Sequence, residues 1–212
     1  MFALGMTLFT HIYRGNYAAA NAETDELLAL TDEKSTLGWK PFGMMHQATL
    51  LALTGQASNA AQIMISGISV FRSTAATMSL PWWLSNLAAA YAELGQFAWR
   101  CIDEAMTAVE TKKERIWEAE VHRMAGEITL ISPTPNATKA EAYFQRALSV
   151  ARQQQAKSWE LRAAMSMARL WRDQGKRDDA RDLLAPVYGW FTEGFDTRDL
   201  KQARALLDEL AA

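Results

Sequence analysis

The sequence predicts an all-α protein, a right-handed α-α superhelix of about five helix pairs followed by a C-terminal helix. Glycine recurs at a step of forty residues, at Gly15, Gly55, Gly95 and Gly175. Between these glycines the apolar residues follow the i, i+3, i+4 spacing of amphipathic helices, and the alternation typical of strands is absent. Amphipathic pairs cannot bury their apolar faces alone, so we expect the pairs to stack on one another.

Each of these glycines is expected to end one helix and reverse the chain into the next, because glycine adopts left-handed backbone at little cost. The missing member of the series is Pro135, which predicts a longer, proline-stiffened fourth turn. Two flanking positions support the register. Four residues before each turn the side chain is large, at His11, Leu51, Tyr91, Ile131 and Trp171. Five residues after it stand Ala20, Ala60, Arg100, Ala140 and Ala180, so only the third repeat departs.

The first helices of the pairs are predicted at 2–14, 37–54, 80–94, 115–131 and 157–174, and the second helices at 17–31, 57–73, 97–112, 137–154 and 177–192. A final helix starts near Thr197, whose side chain is expected to cap it, after a break at Gly194. The chain is then a single domain, 1–212. Its repeats cover about 1–33, 36–74, 79–113, 115–155 and 157–193, with a capping helix at 197–211.

The spacing of these residues resembles the tetratricopeptide repeat (TPR). The segments "YAELG" and "LWRDQG" match the first half of that repeat, and "AEAYFQRAL", with Ala140, Phe144 and Ala147, matches the second half. Residues 140–210 more closely resemble the C-terminal TPR region of large bacterial regulators. Those proteins join a nucleotide cyclase or winged-helix domain to an ATPase-like domain, and "KSWELRAA" and "GWFTEGFDTRDL" carry the likeness.

The second resemblance implies a non-catalytic interaction or sensory module of a bacterial signalling regulator. Its partner is expected to be a protein or peptide, and the resemblance implies an ATPase or cyclase domain encoded upstream as one such partner. The alternative is the sensing domain of a transcriptional regulator that binds a small molecule in its concave groove. No phosphate-binding loop is encoded, because the only Gly-Lys pair, at 175 and 176, lacks the rest of that motif.

Charge and composition narrow the partners and the compartment. A formal charge of −2 gives no general attraction for phosphates or anionic lipid, so nucleic acid is not an expected partner. No uncharged apolar run is long enough to cross a membrane, and the apolar N-terminal segment lacks the basic start of a signal peptide. Cys101 is the single cysteine and is expected to be a small buried side chain. We therefore expect a cytoplasmic protein.

The sequence contains no convincing catalytic or metal-binding constellation, and no cofactor is predicted. His11, His46 and His122 are far apart, and Glu118 with His122 supplies only one edge of a metal site. Four carboxylates could be imagined as acid/base pairs but fit a solvated face better: Glu118, Glu120, Asp178 and Asp179. Four tryptophans are expected to pack between helices: Trp117, Trp159, Trp171 and Trp190.

A candidate binding groove follows from the family register, in which the position thirteen residues before each turn lines the concave face. That position holds Phe2, Phe42, Trp82, His122 and Arg162, and its neighbours Met45, Arg169 and Arg172 face the same way. The set grades from aromatic to cationic, which suits an amphipathic peptide or an anionic small molecule. The alternative is that Phe42 and Trp82 pack against adjacent helices.

Charge is shared unevenly, with 11 charged side chains in residues 1–100 and 35 in residues 101–212. The poorly charged half contains Met44, Met45, Met64, Phe71, Met78 and "LPWWL", which would form an exposed apolar face if they are not buried. Three explanations stay open: a cover by an upstream domain, a second copy of the chain in a homo-oligomer, or deep burial.

Overall fold

A computed structural model describes residues 1–34, 38–74, 78–112 and 114–212, and in these ranges the regular structure is entirely helical. A short 3-10 turn, Arg115–Trp117, precedes α7. The helices are α1 Phe2–Arg14, α2 Tyr17–Glu33, α3 Lys40–Leu53, α4 Ala57–Ser73, α5 Leu80–Glu93, α6 Trp99–Lys112, α7 Glu118–Ile131, α8 Ala137–Gln153, α9 Lys157–Asp173, α10 Arg177–Gly189 and α11 Arg198–Ala211. The all-α prediction is confirmed. The predicted start of α3 at residue 37 lies outside the described residues.

The turn glycines act as predicted. Gly15, Gly55, Gly95 and Gly175 have φ of 79°, 83°, 67° and 80°, the left-handed region. The residue after each glycine donates its N–H to the carbonyl of the large residue four positions before the glycine, as Asn16 does to His11 and Lys176 to Trp171 at 2.9 and 2.8 Å. This bond closes the end of the first helix and fixes the chain reversal.

The fourth turn, which has Pro135 in place of glycine, covers residues 132–136 and is longer than the first, second and fifth turns, as predicted, and equal in length to the third. Ser132 leaves α7 with extended backbone, and Asn136 begins α8 by accepting the Lys139 N–H on its side chain at 2.8 Å. At the last helix the break at Gly194 is confirmed by its φ of 76°. The predicted cap is wrong, because the Thr197 hydroxyl donates back to the Gly194 carbonyl at 2.7 Å instead of accepting from α11.

The third hairpin departs from the others by one residue. In the other four, the alanine five positions after the turn is fully buried, and the residue nine positions after it is also buried: Thr24, Met64, Phe144 and Leu184. In the third hairpin α6 begins at Trp99 instead of the predicted 97, and buries Cys101 and Ala105, one position later in each case. Arg100 and Glu104, which hold the usual buried positions, are turned outward as a result.

The contacts group the chain into two compact units, residues 1–114 with α1–α6 and residues 115–212 with α7–α11. The predicted single domain, 1–212, stays a prediction. The core of the first unit is rich in aromatic rings, and that of the second is formed by aliphatic side chains around Phe144.

Most of the apolar residues expected on an exposed face of the first half are buried. Met45, Met64 and Phe71 are at most 2 % exposed, and the "LPWWL" segment, 80–84, is also buried. Met44 is half-buried, and Met78 is 40 % exposed. Deep burial is therefore the explanation that holds for the others.

Three of the four tryptophans pack as expected. The Trp117 and Trp159 rings meet edge to face with centroids 5.8 Å apart, and Trp171 packs partly buried against the core of the second unit. The prediction is wrong for Trp190, which is 58 % exposed. Its ring lies 5.8 Å from the Lys157 ammonium.

Candidate functional site

Two of the three aromatic members of the predicted groove, Phe42 and Trp82, are buried inside the first unit. Phe42, Met45 and Trp82 are at most 2 % exposed, whereas Phe2 is 62 % exposed. The Phe9 ring meets Trp82 edge-on at 4.8 Å and Phe42 at 6.0 Å. A ligand would reach Phe42 and Trp82 in this arrangement only by displacing neighbouring rings, so their role in binding stays a prediction.

The remaining predicted residues lie in the second unit, where α9 packs against α7 and α11. His122 on α7 is half-buried and stacks on Tyr143 of α8, with centroids 6.4 Å apart. Arg162, Arg169 and Arg172 project from α9. Arg162 and Arg169 lie two helical turns apart on one face, and Arg172 follows one turn later.

The centre of this region is a carboxylate–guanidinium network between α7 and α9. Arg123 binds Glu120 with two parallel hydrogen bonds, of 2.8 and 2.9 Å. Arg162 donates to the same carboxylate at 2.8 Å from across the helix interface. Glu120 is thus held by two guanidiniums, one from its own helix and one from the neighbouring helix.

A second carboxylate, Glu127, extends the network along α7. It accepts from Arg123 at 3.1 Å and from the Ser166 hydroxyl of α9 at 2.6 Å. Asp199 of α11 lies 3.8 Å from Arg162. The spacing 120, 123 and 127 places the α7 members on one helical face, which is why a single neighbouring helix meets all of them.

The electrostatics of the network follow from its burial. The side chains of Glu120 and Arg123 are 5 % and 12 % exposed. Burial alone would raise the pKa of Glu120, but the Arg123 and Arg162 guanidiniums overcome it and lower that pKa to about 2. Burial lowers the pKa of Arg123, and the paired Glu120 carboxylate more than offsets it, so the pKa is raised overall. Both groups are therefore charged across the physiological pH range.

Arg169 differs from the other arginines of α9. Its side chain is half-buried, and it makes no hydrogen bond or ion pair with any residue in the described ranges. Burial lowers its pKa, and the positive charges of Arg123 and Arg172 act in the same direction, against Glu127 and Asp199. Arg172, by contrast, donates to Asp173 at 2.9 Å and to Glu209 of α11 at 2.7 Å. Arg169 is a partly desolvated cation whose donors are available to an anion.

The sequence did not identify Glu120 or Arg123 as members of a site, and the expected solvated face is wrong for Glu118 and Glu120. Glu118 is buried and bound by Arg115 at 2.9 Å and Arg146 at 3.1 Å. The expectation is confirmed for Asp178 and Asp179, which are exposed. Burial of Cys101 is confirmed too, and it raises the pKa of the thiol.

In the described parts of the chain, no three His, Cys, Asp or Glu side chains cluster in a way that could hold a metal ion. The described helices also include none with the length and apolar character that a membrane span requires.

Comparison with known proteins supports the fold and nothing finer. No protein-family model and no curated protein sequence matches the chain. Solved structures that resemble it include two of a Podosopora anserina protein described as a "putative kinesin light chain" with nearly identical TPR-like repeats. One has a TM-score of 0.58 at 13 % identity and covers 88 % of this chain and 92 % of that one. The other has a TM-score of 0.56 at 13 % identity and covers 98 % and 94 %. The chain thus has a TPR-like helical repeat fold.

Proposed function

We propose that the chain is a non-catalytic protein-interaction module whose second unit binds an acidic, extended segment of a partner along α9. The proposal rests on Arg169, whose half-buried guanidinium makes no hydrogen bond or ion pair with the described residues. A partly desolvated cation gains more from an added anion than a fully hydrated one does, because the local dielectric is lower.

The chemistry of the ligand follows from the guanidinium group. Its planar fork of N–H donors matches a carboxylate with two parallel hydrogen bonds, as Arg123 shows in its own pair with Glu120. The neighbouring arginines of α9 already bind carboxylates: Arg162 binds Glu120 of α7, and Arg172 binds Glu209 of α11. A carboxylate is therefore the kind of group that this face of α9 binds.

An extended segment suits this site better than a compact anion. Arg162, Arg169 and Arg172 lie along one helix, and at 1.5 Å per residue the first and last are about 15 Å apart along the axis. Helical repeat proteins use such continuous helix faces to bind extended partners. One acidic residue of such a peptide would bind Arg169. A second would replace Glu209 as the partner of Arg172, because that ion pair is partly exposed.

For the identity of the partner, we propose an ATPase or cyclase domain of a bacterial signalling regulator in the cytoplasm. The support is the likeness of "KSWELRAA" and "GWFTEGFDTRDL" to the C-terminal regions of such proteins. Co-expression of the chain with the product of the upstream reading frame, followed by purification on a tag of one partner, tests this. A stoichiometric complex supports the proposal, and separate elution at micromolar concentration contradicts it.

The binding chemistry is tested with labelled peptides rich in Asp and Glu and with matched peptides that carry Asn and Gln at the same positions. Fluorescence anisotropy should show saturable binding of the acidic peptides only. The Arg169→Ala variant should bind about tenfold or more weakly, since a hydrogen bond to a charged group contributes ~1.5–3 kcal/mol. A matched control is Arg181→Ala, which removes an exposed arginine of α10 that pairs with exposed Asp178.

Two results would contradict this function. Equal affinity of Arg169→Ala and the unaltered chain would show that Arg169 is not the anchor. Tight binding of a small free dicarboxylate, without binding of any acidic peptide, would favour the small-molecule sensor instead.

A further inference from the structure

A cleft in the first unit lies between α4, α5 and α6 and has a volume of about 510 Å³. Sites for small organic ligands span ~300–1,000 Å³ and combine an apolar lining with a few polar groups. The cleft is independent of the arginine-rich face of the second unit. Its lining belongs entirely to residues 65–104.

The floor of the cleft is apolar because each helix contributes one face of regular spacing. On α4 the lining residues are Ile65, Ile68 and Arg72, and on α5 they are Leu84, Leu87 and Tyr91. In both helices the first two residues are aliphatic and the third, one turn further on, is polar. The inner residues Ile68, Leu84 and Leu87 are at most 5 % exposed. At the rim, Ile65 and Phe97 are 46 % and 86 % exposed, so apolar surface continues from the floor to the mouth.

Two polar groups of the cleft, both on α6, arise from the one-residue shift of that helix. Arg100 and Glu104 would occupy buried positions in any of the other four hairpins. The shift turns both into the cleft, where Cys101 completes the α6 wall. The cleft thus forms at the one hairpin where the repeat register changes.

The charges of the cleft do not balance. Glu104 on α6 is paired with Arg72 on α4, and this ion pair joins the two walls. Arg100 is exposed and makes no ion pair or hydrogen bond through its side chain with the residues that the structure describes. The lining therefore carries one positive charge in excess. Burial raises the pKa of Tyr91 above its ordinary value, and its hydroxyl is a hydrogen-bond donor at neutral pH.

We propose that this cleft binds an organic anion, with an aliphatic or aromatic body on the floor formed by Ile68, Leu84 and Leu87 and a carboxylate at Arg100. A fully polar ligand would leave the buried aliphatic floor without apolar contact. A cationic ligand would meet the excess positive charge at Arg100.

The test uses dodecanoate below its micelle concentration, with dodecanol as an uncharged probe of the same chain length. Titration calorimetry measures affinity and stoichiometry. The rate of Cys101 alkylation by iodoacetamide reports whether the cleft is occupied, because Cys101 is the only cysteine of the chain and lines the cleft. Arg100→Ala is the test variant. Arg204→Ala, which removes an exposed arginine of α11, is the matched control.

We expect dodecanoate to bind at one site, to slow Cys101 alkylation, and to bind more tightly than dodecanol. Arg100→Ala should weaken dodecanoate binding roughly two- to fivefold, since the Arg100 side chain is exposed, and should leave dodecanol binding and the helical circular dichroism unchanged. Arg204→Ala should behave like the unaltered chain. The proposal is overturned if calorimetry shows no saturable binding of dodecanoate, or if Arg100→Ala binds dodecanoate with unchanged affinity.

Discussion

Glu120 of α7 and Arg162 of α9 form an ion pair of 2.8 Å in which the two side chains are 5 % and 17 % exposed. The same carboxylate is also held by Arg123. Charges taken out of water in this way depend on one another, because each would be costly to bury alone.

Replacement of Glu120 by Gln should therefore destabilise the second unit by about 3–5 kcal/mol, since Arg123 and Arg162 lose their shared anion. Urea unfolding followed by circular dichroism measures this. The matched control is Asp208→Asn, which breaks an exposed pair with Arg204 and should cost far less. A similar loss for both variants would contradict the assignment of a buried network.

His46 predicts a pH dependence of the first unit. Burial lowers its pKa to about 3, opposed only in part by the Gly5 backbone, and the ring is surrounded by Phe9, Phe42 and Trp83. The unfolded chain binds a proton near pH 6.5 and the folded chain does not, so stability is complete above pH 6.5 and falls as the pH drops towards 3.

The expected slope is about 1.4 kcal/mol per pH unit in the middle of that range. His46→Leu should lose this slope between pH 6 and 5, which can be measured by urea unfolding at several pH values. Glu120 contributes at lower pH only, because its pKa falls from an unfolded value near 4.3 to about 2. An unchanged slope in His46→Leu would show that His46 is not buried as a neutral ring.

Gly126 allows α7 and α8 to approach closely. A Cβ at this position would lie 2.3 Å from Cε1 of Phe144, a ring that is fully buried. Gly126→Ala should destabilise the second unit by about 1–3 kcal/mol through overpacking. Gly189→Ala is the control, because a Cβ there meets nothing within 4 Å.

A double-mutant cycle separates this contact from a general effect on the helix. Phe144→Leu frees space beside residue 126, so the double variant should be more stable than the sum of the two single losses predicts. Strict additivity would mean that Gly126 and Phe144 are not in contact.

Replacement of a turn glycine by alanine should destabilise the fold through backbone strain alone, without any steric clash. Gly55 has a φ of 83°, and a Cβ there would meet nothing within 4 Å. Gly55→Ala should still cost about 1–2 kcal/mol, because left-handed backbone disfavours every residue with a Cβ. Gly38→Ala, at an open position without positive φ, should cost nothing in the same thermal unfolding assay. Equal stability of the two variants would contradict the role given to Gly55.

The turns could be predicted from sequence because single residues determine them, as Gly15 and Gly175 do. The buried network could not, because the pairing of Glu120 with Arg162 depends on which faces of α7 and α9 meet. The spacing of Glu120, Arg123 and Glu127 did mark one helical face. Charged residues at that spacing are nevertheless more typical of a solvated face.

The third hairpin likewise could be predicted only in part, because its structure depends on contacts between helices. Arg100 in place of alanine signalled a departure from the repeat. Its consequence, a shift of α6 that buries Cys101 and opens a cleft, depends on how α6 packs against its neighbours. In the second unit, Arg169 was predicted from the register, whereas its unmet hydrogen-bonding capacity follows only from the positions of α7 and α11.

The central claim is that Arg169 receives a carboxylate from an acidic partner segment. The most direct measurement follows the side-chain Nε–Hε NMR signals of the arginines while an Asp- and Glu-rich peptide is added. We predict that the Arg169 signal shifts saturably while that of exposed Arg181 stays in place. Peptide binding that leaves the Arg169 signal unmoved, or equal shifts of both signals, would contradict it.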